Sequence, residues 1–166
     1  MGEMLLIRAD GLRQASCTFR TVMVLISACL LASGCMLSPS TLRVSPAALD
    51  NVRGIGKMLA ETSTENATEN GRQIENLLVI DVGATSDREA LDKAANLLAA
   101  RKWAIDGENR PTIVFMKHAN WPDTHLILRP FDSMYFKDYP EILKALKETS
   151  VKEEALVYIS LFEGEI

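Results

Sequence analysis

The sequence predicts an α+β fold, a single β-sheet carrying two helices in the order β-α-β-β-α-β. Three observations lead there. Short apolar runs rich in β-branched residues recur at 77–82, 112–118, 124–131 and 155–162, the pattern of strands. Two amphipathic stretches with helix-start signals, after Ser86 and after Asp138, lie between them. Gly, Pro, Asn and Asp punctuate the boundaries.

The first strand, Leu77 to Val82, is apolar apart from Asp81 and stops at Gly83. In the helix that follows, Ser86 and Glu89 form a capping box and Asp87 adds negative charge at the positive end of the helix. Leu91, Ala94, Ala95 and Leu98 line one face, and Arg101 and Lys102 close the negative end. Asp106, Gly107 and Pro111 read as connection. Strands 112–118 and 124–131 are then joined by a hairpin-length loop of Ala119, Asn120, Trp121, Pro122 and Asp123. Asp138 with Glu141 caps the second helix, Pro140 sits in its first turn, and Tyr139, Ile142, Leu143 and Leu146 share a face. A last strand spans 155–162. The order resembles the split βαβ or ferredoxin-like sandwich, which implies a four-stranded antiparallel sheet with both helices on one face. Residues 76–166 are the expected domain.

At the N-terminus, Arg20 precedes an apolar run from Val22 to Ala32, and Ser33 and Gly34 then lead to Cys35. A helix of that length, at about 1.5 Å per residue, reaches about half of a ~30 Å hydrocarbon layer, which fits a signal peptide better than a membrane span. Leu31, Ala32, Ser33, Gly34 and Cys35 together resemble the lipobox of bacterial lipoproteins. The resemblance implies cleavage after Gly34, so that 1–34 is a signal peptide, and diacylglycerol on Cys35, which holds the chain to the extracytoplasmic side of the cell membrane. Ala32 stands where that family usually has Leu, and an uncleaved N-terminal anchor is the alternative. The chain as a whole is similar to small exported lipoproteins of actinobacterial type, a likeness that supplies no activity.

Residues 35–75 then read as a lipidated tether. Within it Ser45 and Pro46 open a short helix with Leu49, Val52, Ile55 and Leu59 at helical spacing, and 61–73 is a polar, flexible linker. All three cysteines, Cys17, Cys29 and Cys35, lie in the first quarter of the chain, so the domain has neither disulfide nor thiol chemistry. With 18 Lys and Arg against 22 Asp and Glu, the net charge is -4, a balance that disfavours nucleic acid as a partner. The sequence contains no phosphate-cradling Gly-rich loop, Gly-x-Ser-x-Gly, Cys-x-x-Cys or His-Glu-x-x-His, so no cofactor is expected.

Strand alternation sets Leu78, Ile80 and Val82 against Leu77, Val79 and Asp81, and Val157, Ile159 and Leu161 against Leu156, Tyr158 and Phe162. Both faces are partly apolar. Helices on one side leave the other to the 49–59 segment, a second copy of the chain or a protein partner. Leu77, Val79 and Tyr158 on that open face, with Trp121 at the hairpin tip, are the candidate contacts. His118, Asp123 and His125 are the weak candidates for a metal, with a solvated hairpin as the plainer reading. Asp81 is a conceivable general base, and more simply a cross-strand partner of Lys117 or Arg129. Phe131, Tyr135, Phe136 and Tyr139 read as packing beneath the second helix. The expected function is a membrane-anchored, non-enzymatic binding module. A metal-binding protein or enzyme using His118, Asp123 and His125, and a structural envelope lipoprotein, are the alternatives.

Overall fold

The structure is a computed structural model and describes residues 40–69 and 71–164. Its frame is one seven-stranded sheet. The strands are β1 (Ser40–Leu42), β2 (Lys57–Thr68), β3 (Gly71–Asp81), β4 (Trp103–Asn109), β5 (Ile113–His118), β6 (Trp121–Pro130) and β7 (Leu156–Glu163). Helices α1 (Pro46–Arg53), α2 (Asp87–Ala100) and α3 (Pro140–Lys147) join them, with 3-10 turns at Ser133–Phe136 and Glu153–Ala155. Across the sheet the order is β2-β3-β7-β6-β5-β4 with every neighbouring pair antiparallel, and β1 pairs in parallel with Gly71, Arg72 and Gln73 of β3.

Burial explains this order. In β7 every residue from Leu156 to Phe162 is buried, as a strand covered on both faces and both edges requires. Farther out, β5 alternates half-buried with buried residues. At the edge, β2 is polar and carries Lys57, Glu61 and Glu65, charges that blunt an exposed strand edge. Arg53 ties it to α1 through a two-pronged contact with the Glu61 carboxylate at 3.0 and 2.6 Å, and these bonds raise the guanidinium above its ordinary pKa.

Two apolar layers sandwich the sheet. Beneath α1 and α2 lie Leu78, Ile80, Met116, Leu126, Leu128 and Ile159, packed against Ala48, Val52, Ala94 and Leu98. On the opposite face Leu77, Val79, Leu156 and Tyr158 are covered by Phe131, Phe136 and Ile142 of the segment ending in α3. The direction in which the chain leaves each strand decides the layer. Val82, following β3, faces the first layer, whereas Phe131, following β6, faces the second.

The start of α2 differs in detail from a reciprocal capping box. Ser86 Oγ accepts from the Glu89 amide at 3.4 Å, but the Glu89 carboxylate turns to Thr85, accepting from its amide at 2.8 Å and its hydroxyl at 2.6 Å. The Thr85 hydroxyl first, then its amide, holds Glu89 below the ordinary carboxylate pKa. A depressed carboxylate contributes stability that is present above its unfolded pKa and fades as pH falls through the folded one. Accordingly, Glu89→Gln should melt below the parent at pH 7, and the gap should close as the pH is lowered through the carboxylate range in a series of thermal melts.

Several expectations are corrected. The sheet has seven strands rather than the four of a ferredoxin-like sandwich, and α2 and α3 sit on opposite faces rather than one. Within the supposed tether and linker of 35–75, the described residues from Ser40 onward supply β1, α1, β2 and the start of β3, all joined to the same sheet or packed on it. Residues 61–68 and 71–73 are strand because β2 satisfies its backbone along the full length of β3 and adds side-chain ties, Arg72 to Glu65 at 2.8 Å and Thr62 to Glu141 at 3.0 Å. Asp106 and Gly107 mark a bulge within β4, not a connection. The proposed signal peptide 1–34 and Cys35 lie outside the described residues.

Candidate functional site

Alternation along β6 puts Leu126 and Leu128 into the first layer and so turns Ile127 and Arg129 to the second face. There Arg129 is in register with Tyr158 of β7. After Phe131 the chain turns, and the Asp132 carboxylate accepts from the Met134 amide at 2.9 Å, which starts the 3-10 turn. That turn lays the Tyr135 ring against Tyr158, with centroids 5.1 Å apart, and seats Phe136 between Phe131 and Tyr158 at 5.2 and 5.0 Å. A half-open cavity of about 640 Å³ results, walled by Arg129, Tyr135 and Tyr158, with Arg88, Glu153 and Glu154 also lining it.

Its electrostatics are unusual in one respect. The Arg129 Nε is buried and has no hydrogen-bond partner, and among the described residues no carboxylate pairs with its guanidinium. A buried donor left unpaired costs about 1–3 kcal/mol, and the remaining nitrogens of the planar fork form a bidentate face. Burial, then the Tyr135 hydroxyl, pushes the Tyr158 phenol well above its ordinary pKa, although Arg129 pulls the other way. Tyr158 therefore stays a neutral donor and acceptor.

The residues singled out in the sequence are placed differently. Leu77 and Val79 are 1% and 0% exposed beneath α3, so they offer no open contact face, and Tyr158 is 3% exposed and meets the surface only at the cavity wall. The face expected to await the 49–59 segment or a partner is covered by α3, while α1 covers the other. Trp121 is not at a hairpin tip. β6 begins with it, the turn is Ala119 and Asn120, and its ring packs on Trp103 and His118 with centroids 6.0 and 4.3 Å away.

His118, Asp123 and His125 do not converge. Among the described residues no three His, Cys, Asp or Glu side chains are grouped to hold a metal ion. His118 is buried in the first layer, its Nδ1 accepting from the Asn120 amide at 3.0 Å and its Nε2 facing the Arg101 carbonyl at 3.1 Å. Nδ1 is thus the acceptor and Nε2 carries the hydrogen, which leaves no lone pair for a metal. His125 lies on the opposite face, stacked on Phe162 at 5.6 Å, and Asp123 is exposed. Asp81 meets neither of its expected partners. It accepts from the Gly83 amide at 2.7 Å, Lys117 pairs with Asp106 at 2.9 Å, and Arg129 has no ion pair among the described residues.

Sequence reasoning named Arg129 only as a partner for Asp81. The available signal was a lone cation at the end of an apolar strand, after Leu126, Ile127 and Leu128. Comparison of the chain with protein-family models, with curated proteins and with solved structures gives no match.

Proposed function

We propose that this chain is an exported lipoprotein, attached by lipid on Cys35 to the extracytoplasmic side of the cell membrane, whose domain is a non-enzymatic binding module with its ligand site at the Arg129 cavity. The order of Arg20, the apolar run to Ala32, the small residues and Cys35 supports the attachment. No helix among the described residues is long and apolar enough to cross a membrane, so attachment through lipid asks nothing further of the fold. Several acyl chains bury enough CH₂ groups, at about 0.8 kcal/mol each, for stable anchoring.

The observation that carries the binding half is the unpartnered Arg129 Nε beside a cavity. Native proteins satisfy buried donors, and an arginine without a carboxylate partner in a cavity wall is where a ligand's acceptor belongs. Attachment is tested by intact mass and membrane fractionation of the full chain and its Cys35→Ala variant in a bacterial host. The expected product is membrane-bound, lacks 1–34 and carries acyl mass, and the variant loses both mass and membrane association. A soluble, unprocessed parent protein overturns the lipoprotein reading.

A further inference from the structure

We propose that the Arg129 cavity takes a small monocarboxylate with an apolar or aromatic body, an assignment that rests on the binding reading above and gives its ligand a chemical class. The guanidinium is the anchor. It has a buried, unpartnered Nε and no ion pair among the described residues, and its planar fork matches the two oxygens of a carboxylate. Tyr158, whose hydroxyl is hydrogen-bonded to that of Tyr135, stays neutral in the same wall and adds no competing charge beside the guanidinium.

The walls select the rest of the molecule. Tyr135, 49% exposed, offers its ring, and Phe131 and Pro130 continue the apolar wall, a surface suited to a flat apolar body. Four carboxylates, of Asp87, Asp132, Glu153 and Glu154, line the cavity against the two guanidiniums of Arg88 and Arg129. That excess repels a dianion such as phosphate, whereas one negative charge held directly on Arg129 escapes most of the penalty. A volume of about 640 Å³ lies in the range of small-molecule sites.

The test uses the full chain in detergent, labelled with ¹⁵N, with benzoate, benzylamine and inorganic phosphate as probes. The readouts are the Arg129 Nε–H resonance and the melting temperature. Millimolar benzoate should move both in a saturable way, while benzylamine and phosphate leave them in place. Arg129→Gln, with its amide spectrum otherwise preserved, should lose the benzoate response. Arg129→Lys, which keeps the charge but not the fork, should bind benzoate about tenfold more weakly or worse. The proposal is overturned by the absence of a saturable benzoate response, or by an equal response in Arg129→Gln. A larger response to benzylamine also overturns the carboxylate assignment, yet leaves a binding module standing. Attachment is judged separately by the Cys35→Ala fractionation.

Discussion

Trp103→Ala should lower the free energy of unfolding by about 3–5 kcal/mol, the range for deleting a large buried aromatic. The residue is 2% exposed at the start of β4. Its indole Nε1 donates to Asn51 Oδ1 of α1 at 3.0 Å, and its ring stands edge-on to His118 at 5.3 Å. Removing it opens a void in the first layer and cuts the polar tie that fastens α1 to the far edge of the sheet. Urea unfolding monitored by circular dichroism measures the loss. Trp103→Phe separates the two contributions, since it keeps most of the packing but strands the Asn51 carbonyl, and it should fall between parent and Ala. A loss below about 1 kcal/mol for the Ala variant would contradict the tightly packed layer described above.

On the other face the corresponding change is Phe136→Ala, also expected to cost about 3–5 kcal/mol. Phe136 is 0% exposed and touches four aromatic neighbours, with ring centroids 5.2 Å from Phe131, 5.7 Å from Tyr135, 6.0 Å from Tyr139 and 5.0 Å from Tyr158. Such aromatic pairs add about 0.5–1.5 kcal/mol beyond area burial. Hydrogen exchange provides the second readout. Amides of α3 should exchange faster in Phe136→Ala while those of α2 keep their protection, because the layers are separated by the sheet. Equal loss of protection in both helices would show that the faces do not open independently.

Local chemistry was legible in the sequence where burial and period agreed. The alternation of Leu77 through Val82 and the buried face of α2 at Leu91, Ala94, Ala95 and Leu98 follow from spacing, and of the aromatics expected beneath α3, Phe131, Phe136 and Tyr139 pack there while Tyr135 is exposed. Three strands were hidden: β1 is only three residues long, and the signals of β2 and β4 were not apolar. β2 relies on backbone pairing and threonines, and its one turn cue, Asn70 before Gly71, sits in a polar stretch that resembles a linker. In β4, Asp106 and Gly107 mimic a turn although a bulge absorbs them.

The element order by itself does not say which face a helix covers. That depends on whether the last strand residue points up or down, so Val82 and Phe131 sent α2 and α3 to opposite sides. The continuous apolar run of β7 does carry the information that it is internal. At the site, Arg129 was visible as a residue, but its lack of a partner is a property of three dimensions. Its expected neighbour Asp81 turns to a local amide instead.

The placement of β7 also governs how the chain reaches this structure. The hairpin of β2 and β3 and the ribbon of β4, β5 and β6 form from near neighbours in sequence, but β7 alone joins them, pairing with β3 on one side and β6 on the other. Asn76 meets Leu161 across 85 positions of chain, and contacts of such long range close slowly. Until that strand arrives, each half exposes an unpaired edge and an apolar face, the state most prone to aggregation. A chain threaded N-terminus first across a membrane would therefore stay open to proteases and to neighbouring chains until its final segment emerged, and would gain its cooperativity in one late step.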